Sequence, residues 1–290
     1  MQWPHIRTKN LEIAKSMHLY KYPFKSLYFL LFIMTSIEWL SDINNISKRI
    51  EYANEYGMKA TNEGILKKHG FDVPNGFVVT PEWKESVDGE ALKEFYKKLG
   101  ASAVSVRSSA TCEDSHKYSF AGIFESYMPV VLDELPLYIA KCRESLKSEE
   151  ALIYMEFAKV SPDKAKMNVL VQEFIKAKMS GIFFTKNPIT RSDAEMACQF
   201  GYMQGEKLVS GEESGFYAII DKNSKEIKIQ GDSFKLLFGA NPSYDLELSG
   251  IIDKALKIEK LFDFPQDIEF TIGLDNKTYI LQSRDITGLE

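Results

Sequence analysis

Cysteine is scarce in this sequence of 290 residues. The three cysteines, Cys112, Cys142 and Cys198, are odd in number and lack metal-ligand spacing, so we expect reduced thiols in a cytoplasmic protein. Long apolar runs are also missing. The longest, residues 26–37, spans about a dozen residues, whereas a membrane helix needs roughly 20. The sequence therefore predicts no membrane span. We expect this run to form a buried helix or strand.

An excess of positive charge is missing as well. The chain carries 36 Lys and Arg against 41 Asp and Glu, a net charge of −5, which gives no support to nucleic-acid binding. Any phosphate site must therefore be built from a few placed cations. Low-complexity segments and internal repeats are absent from the sequence, and the 44% hydrophobic content suffices for a sizeable core in one compound domain or two packed lobes.

Helical and extended patterns alternate along the chain. The predicted helices cover residues 46–57, 59–69, 82–99, 134–158 and 251–262. The predicted strands cover residues 76–80, 104–106, 168–175, 181–185, 216–221 and 226–231, the last two as an antiparallel hairpin. Helices packed on mixed or antiparallel sheets predict an α+β or α/β fold with a cleft between two lobes.

The segment from Val104 to Tyr127 is the most informative part of the chain. Its apolar strand leads into Arg107, which is followed by Ser108, Ser109 and Thr111. A guanidinium beside several hydroxyls suits an oligophosphate, because its planar fork holds two anionic oxygens and the hydroxyls supply further donors. Taken alone, the same residues are also compatible with an ordinary strand end.

The end of the chain predicts a second polar cluster, on a hairpin. Asp275 and Asn276 suit the tip of a two-residue turn. That register would pair Glu269 with Gln282, Asp267 with Arg284, and Thr271 with Ile280. Alternation would place Asp267, Glu269, Gln282 and Arg284 on one face, opposite an apolar face of Ile268, Phe270, Ile272, Tyr279 and Leu281. The polar face is either a solvated surface with an ion pair or a pair of oxygen ligands for magnesium.

Four blocks of the sequence resemble a single family, and they occur in the same order as in that family. The strings RSSATCED and SFAGIFESY resemble the nucleotide-binding domain of the phosphoenolpyruvate synthase and pyruvate phosphate dikinase family. The other blocks are YGMKATNEGILKKHGFDVPNGFVVTPE, VLVQEFIKAKMSGIFFTKNPIT and LFDFPQDIEFTIGLDNKTYILQSRDIT. Four ordered blocks are far harder to obtain by chance than one short motif. The resemblance covers residues 46–290, extends to the corresponding domain of rifampin phosphotransferase, and leaves residues 1–45 as an N-terminal extension.

The resemblance implies an ATP-grasp-like domain with lobes at about residues 46–198 and 199–290, which binds ATP and Mg²⁺. Lys59, Arg107 and Arg284 match the family's phosphate-binding and catalytic cations, and Glu269 and Gln282 match its metal ligands. Without the resemblance, Lys59 would be interpreted as a surface residue.

Further nucleotide contacts follow from the same resemblance. They fall on Ser108, Thr111, Gln172, Glu173, Phe174, Thr185 and Glu206, with Asn187 and Pro188 beside Thr185. The segment 172–174 matches the strand that presents main-chain amide and carbonyl groups to adenine. For this strand and for the turn after Thr185, the alternative interpretation is plain strand and loop.

Three departures from the family pattern bear on activity. Met58 stands where the family has a second glycine, Gln199 stands where it has an acid, and residues 213–215 differ from its threonine-proline-aspartate pattern. None of the four histidines has the context of the family's phosphorylated histidine, and His116 fits a solvent-facing loop. We therefore expect either an ATP-dependent phosphotransferase module that needs a separate phosphohistidine carrier or acceptor-binding protein, or a nucleotide-binding sensor without full activity.

Overall fold

The computed structural model describes residues 36–113, 120, 122–201, 215–230 and 243–288. Two antiparallel sheets divide the described strands between them. The first sheet has the order β1-β2-β5-β3-β4, with β1 at Ile37–Trp39, β2 at Gly76–Val79, β3 at Val104–Ala110, β4 at Ser126–Val130 and β5 at Met167–Glu173. The second has the order β11-β10-β6-β7-β8-β9, with β6 at Ala177–Phe184, β7 at Glu195–Gly201, β8 at Phe216–Asp221, β9 at Ile227–Gln230, β10 at Gln266–Gly273 and β11 at Thr278–Asp285.

Six α-helices in the described part of the chain pack on these sheets. They are α1 at Arg49–Tyr56, α2 at Met58–Lys68, α3 at Glu85–Leu99, α4 at Leu135–Glu144, α5 at Glu149–Phe157 and α6 at Ser243–Phe262. Short 3₁₀ turns lie at Leu40–Asp42, Ile46–Lys48, Leu132–Glu134, Ser145–Lys147 and Pro162–Lys164. None of the helices in these described ranges is long and apolar enough to cross a membrane.

Helix α2 lies where the two sheets meet. Its side chains Ile65 and Leu66 belong to a core that also contains Leu170 of β5 and Phe183 and Ile268 of the second sheet. The opposite face of the first sheet has a separate core, formed with apolar side chains of α3 and α4. The expected α+β architecture of two lobes is therefore confirmed, and both sheets are wholly antiparallel.

The division between the sheets differs from the expected lobe boundary. The first sheet ends with Glu173 and the second begins with Ala177, whereas a boundary at residue 198 would fall inside β7. Ile37, the last residue of the apolar run that begins at Ser26, starts β1 and is buried against β2. The first sheet therefore includes residues of the expected N-terminal extension, and residues 1–35 lie outside the described part.

The long helix expected over residues 134–158 is two helices. Helix α4 ends at Glu144, a 3₁₀ turn follows at Ser145–Lys147, and α5 starts after Ser148. The Ser148 hydroxyl accepts the Ala151 amide hydrogen at 3.1 Å, an N-cap contact that satisfies an amide without a partner in the helix. The apolar spacing continues across this break, which explains why the pattern predicted one helix.

The hairpin of β10 and β11 has the expected register at its open end only. Asp267 pairs with Arg284 and Glu269 with Gln282, but Thr271 pairs with Tyr279 rather than Ile280. The turn has three residues between Gly273 and Lys277, with Asn276 at φ 61°, and a β-bulge between Glu269 and Phe270 compensates for the extra residue. Ile280 therefore enters the core, while Leu281 lines a cavity between the sheets.

Candidate nucleotide-binding site

A cavity of about 520 Å³ separates the two sheets. Strands β3 and β5 form one wall, and β6, β10 and β11 form the other. Its lining contains eight of the residues that the sequence indicated: Lys59, Arg107, Gln172, Glu173, Phe174, Glu269, Gln282 and Arg284. A cleft of this size suits a nucleotide-sized ligand.

Close packing of α2 on β3 places Lys59 in this cavity. Gly57, at φ 82°, separates α1 from α2, and a Cβ atom at this position would lie 2.3 Å from the Ser109 carbonyl oxygen. Only glycine fits both the backbone conformation and the space. The Ser109 hydroxyl also accepts the Ala60 amide hydrogen at 3.1 Å and donates to the Tyr56 carbonyl. The start of α2 is therefore fixed against the strand, although Met58 replaces the family's second glycine.

Lys59 is buried and paired. Its Nζ atom lies 2.8 Å from the Glu113 Oε1 atom and donates to the Ser108 carbonyl oxygen at 2.8 Å. The other carboxylate oxygen of Glu113 accepts the Ala110 amide hydrogen at 3.0 Å. Both side chains are more than 90% buried, so this ion pair is screened little by solvent.

Arg107 joins the two sheets. Its Nη2 atom donates to Glu269 Oε2 at 2.7 Å and to Gln282 Oε1 at 3.1 Å, and its Nη1 atom donates to the Leu281 carbonyl oxygen. The guanidinium belongs to the first sheet and its acceptors to the second. Period-two alternation along β3 places Ser105 on the same side as Arg107, and both line the cavity.

Glu63, a residue of α2, is fully buried and lies near Arg107. Its Oε2 atom accepts a hydrogen bond from the Gln172 side chain, while its Oε1 atom lies 3.8 Å from Arg107 Nη1. Burial raises the pKa of the Glu63 carboxyl to about 8, although Arg107, Gln172 and Lys59 act in the opposite direction. Glu63 is therefore largely neutral at pH 7.

Asp267 and Arg284 form a further ion pair in the cavity lining. Asp267 Oδ2 accepts from Arg284 Nη2 at 2.6 Å and from Arg284 Nε at 2.9 Å. Burial raises the pKa of Asp267, and the neighbouring arginine opposes that rise. The pairing places Arg284 beside Glu269 and Gln282 on the same sheet face.

Glu269 and Gln282 fit a magnesium site by their chemistry and their surroundings. They lie opposite each other on neighbouring strands, so a carboxylate and an amide oxygen face the same cavity. The Arg107 guanidinium already contacts both oxygens, which demonstrates that a cationic group fits between them. Hard oxygen donors of this kind suit Mg²⁺, which usually has few protein ligands and completes its shell with phosphate and water.

The segment expected to contact adenine uses some of its main-chain groups within the fold. The Glu173 amide donates to the Asn75 carbonyl at 2.9 Å, and the Phe174 amide donates to the Ala103 carbonyl at 3.1 Å. The Glu173 side chain accepts from the Asn75 amide and side chain. These two amides are thus committed to the first sheet, which differs from the expectation that they would face a base.

Several other predicted contacts do not line the cavity. Ser108 is buried, and alternation along β3 directs its side chain away from the face of Arg107. Its carbonyl and hydroxyl oxygens accept hydrogen bonds from Lys59 Nζ at 2.8 and 3.5 Å. The Thr111 hydroxyl accepts the Lys166 amide hydrogen at 3.0 Å, and the Thr185 hydroxyl accepts that of Gln266 at 2.8 Å.

The turn after Thr185 is stabilised by hydrogen bonds of its own side chains. The Asn187 side chain accepts the Ile189 amide hydrogen at 2.9 Å and donates to Glu195 at 3.1 Å, which stabilises the turn. Glu206 and His116 lie outside the described residues.

Sequence reasoning missed Glu63 and Glu113. Glu63 follows Lys59 by four positions, so both side chains share one face of α2. This spacing could have indicated that Glu63 lies near the site. Glu113 was visible as an acid near Arg107, but its pairing with Lys59 depends on how α2 packs on β3, which no local pattern specifies.

A cleft between antiparallel sheets with three cations facing two oxygen donors is suited to a polyanion bound with a metal ion. The chain belongs to the pyruvate phosphate dikinase AMP/ATP-binding domain family, which its residues 82–290 match. The matched region is therefore an AMP/ATP-binding domain of this family, and the expected resemblance is confirmed.

Three relatives illustrate this membership. An uncharacterized phosphotransferase, YvkC, from Bacillus subtilis is 30% identical over 81% of this chain and 34% of its own length. A probable phosphoenolpyruvate synthase from Pyrococcus horikoshii is 28% identical over 87% of this chain and 33% of its own. Rifampicin phosphotransferase from Bacillus subtilis is 32% identical over 69% of this chain and 25% of its own. The chain thus spans about a third or less of these relatives.

Proposed function

We propose that this domain binds Mg-ATP in the cavity between its sheets and transfers a phosphoryl group to a histidine of a partner protein or to a small acceptor. The observation that carries the proposal is the placement of Lys59, Arg107 and Arg284 around one cavity with Glu269 and Gln282. Phosphoryl transfer needs positioning and charge neutralisation more than covalent chemistry, and these residue types supply both.

Each cation has a defined task in this proposal. Lys59 binds phosphate oxygens from the start of α2, and Arg107 binds them from β3 with its planar fork. Arg284 contributes a third positive charge from β11. Magnesium held by Glu269 and Gln282 would offset the negative charge that develops on the transferred group.

Ligand binding requires these cations to exchange partners. In this structure Lys59 contacts Glu113, and Arg107 contacts Glu269 and Gln282. A bound triphosphate would offer both cations new anionic oxygens. Glu269 and Gln282 would then be available to hold magnesium, which would neutralise phosphate charge. The acidic partners therefore neutralise these cations within the protein, and bound nucleotide would take over that role.

A nucleotide-binding sensor is the second candidate function. Gln199, on β7 beside Ile182 of the cavity wall, has an amide where the family pattern has an acid. An amide at this position keeps hydrogen-bonding capacity but removes a negative charge from the neighbourhood of the site. This substitution favours a protein that binds nucleotide without completing transfer.

Turnover distinguishes the two functions. The protein is incubated with magnesium and ATP, with and without the proteins of neighbouring genes, and AMP and ADP are measured by chromatography. We expect turnover above that of the matched Arg107→Ala variant, with phosphate recovered on an acceptor. Calorimetric binding of Mg-ATP without turnover in any mixture would favour the sensor, and absence of binding would contradict both functions.

A further inference from the structure

Glu63 has an incomplete set of partners for a buried carboxyl group. Its Oε2 atom accepts from Gln172, but its Oε1 atom has no hydrogen-bond partner among the described residues. The nearest cationic nitrogen to Oε1 is Arg107 Nη1 at 3.8 Å, beyond hydrogen-bonding distance. Buried polar atoms are normally satisfied, so an unsatisfied oxygen aimed at a cation calls for an explanation.

Arg107 and a metal ion cannot both use the same acceptors. The guanidinium contacts the oxygens of Glu269 and Gln282. A magnesium ion held by those oxygens would repel a cation at the same position. Metal binding would therefore remove Arg107 from two of its three partners across the cavity and would leave its contact with the Leu281 carbonyl.

We propose that Glu63 is a positioning residue that becomes the counter-ion of Arg107 when magnesium occupies Glu269 and Gln282, an inference that rests on the proposed function. A displacement of about 1 Å would bring Arg107 Nη1 from 3.8 Å to the usual length of a charge-assisted hydrogen bond. Gln172 fixes the other oxygen of Glu63, so the carboxylate stays in place while the guanidinium moves. Arg107 is then held where its remaining N–H groups meet phosphate.

The exchange of partners also moves a proton. Glu63 is largely neutral at pH 7, since burial raises its pKa to about 8, and it faces Arg107 of β3, Lys59 of its own helix and Glu269 of β10. Burial is the main cause of the raised pKa of Glu63, and the charge of Glu269 adds a smaller rise that magnesium would offset. The approach of Arg107 would lower that pKa further. The carboxyl group then loses its proton to solvent and becomes the carboxylate that pairs with the guanidinium.

Glu63→Gln tests this role, because glutamine retains the shape of the neutral acid and can accept from Gln172 but cannot become an anion. ATP binding is measured by calorimetry at pH 7 with magnesium and with EDTA. We expect the variant to lose about tenfold of the affinity that magnesium adds, while affinity in EDTA changes by less than about threefold. In buffers of different ionisation enthalpy, wild-type protein should release more protons than the variant on binding Mg-ATP.

Asp88→Asn is the matched control, since Asp88 is equally buried but caps α3 by accepting the Lys84 amide hydrogen, away from the cavity. It should leave the magnesium effect unchanged. An unchanged magnesium effect in Glu63→Gln overturns the positioning role alone, whereas failure of wild-type protein to bind ATP overturns the proposed function. If Glu63→Gln does not fold, as judged by its melting curve, the wild-type proton count decides: no proton released with Mg-ATP overturns the inference.

Discussion

Lys59 and Glu113, two charged residues of the cavity, are held by each other and are shielded from solvent. The side chains of Lys59 and Glu113 are 7% and 8% exposed, and their charged atoms lie 2.8 Å apart. A buried ion pair contributes little compared with a packed apolar pair, but removal of one partner leaves an unpaired buried charge. The two residues should therefore behave as a unit in measurements of stability.

We predict that Lys59→Met lowers the free energy of unfolding by about 3–5 kcal/mol, because Glu113 is left buried without its cation. Adding Glu113→Gln to the same protein should restore most of that loss, since the unpaired charge is gone. Urea denaturation of the two single variants and the double variant gives the coupling energy. Nucleotide affinity should stay low in the double variant. Full stability of Lys59→Met would contradict the buried pair.

At the residue scale, the sequence predicted which side chains reach the cavity better than it predicted their contacts. Lys59, Arg107 and Gln282 all line the cavity. The partner of Lys59 was not predicted, because Glu113 meets it only after α2 has packed on β3. Local patterns determine which face a residue occupies, whereas contacts between distant segments depend on the complete fold.

Among the elements, the contact between the start of α2 and β3 leaves no space for a side chain at position 57. Gly57 has φ 82°, and an added Cβ would lie 2.3 Å from the Ser109 carbonyl oxygen and 2.4 Å from its hydroxyl. Backbone atoms cannot move aside as a flexible side chain can. Any larger residue at position 57 must therefore push the start of α2, and Lys59 with it, away from the strand.

We predict that Gly57→Ala destabilises the protein by about 2–4 kcal/mol through combined backbone strain and steric overlap. Gly100→Ala is the matched control, because Gly100 also has a positive φ, 73°, but has open space around its Cβ position. That control should cost only about 1 kcal/mol. Chemical denaturation measures both variants. Equal losses would mean that strain alone, without the close approach to Ser109, determines the effect.

The β10–β11 hairpin shows which features of strand pairing can be predicted from the sequence. Its polar face was predicted correctly at Glu269 and Gln282, because alternation and the position of the turn determine pairing there. The pairing of Thr271 was wrong, since the turn contains three residues and a bulge restores the register. Nothing in the local composition distinguishes a two-residue turn from a three-residue turn followed by a compensating bulge.

For the whole molecule, the cavity wall is shared between two sheets that are separate hydrogen-bonded units. Arg107 crosses from one to the other, and the Asn62 side chain of α2 donates to the Ser283 carbonyl of β11 at 2.7 Å. A ligand that contacts both walls adds further links between the sheets. Its binding should therefore stabilise the complete domain rather than one lobe.

We predict that Mg-ATP at about 100 times its dissociation constant stabilises the folded protein by about 2.7 kcal/mol and raises the melting temperature by about 5 °C. ATP in EDTA should give a smaller rise, because the oxygens of Glu269 and Gln282 then have no metal to hold. In Glu269→Gln, the rise in EDTA should remain while the additional rise with magnesium disappears, since one negative charge has left the metal site. Thermal melts over a magnesium titration at fixed ATP test this. Overlapping titration curves for the two proteins would rule out Glu269 as a metal ligand and leave a solvated cross-strand pair.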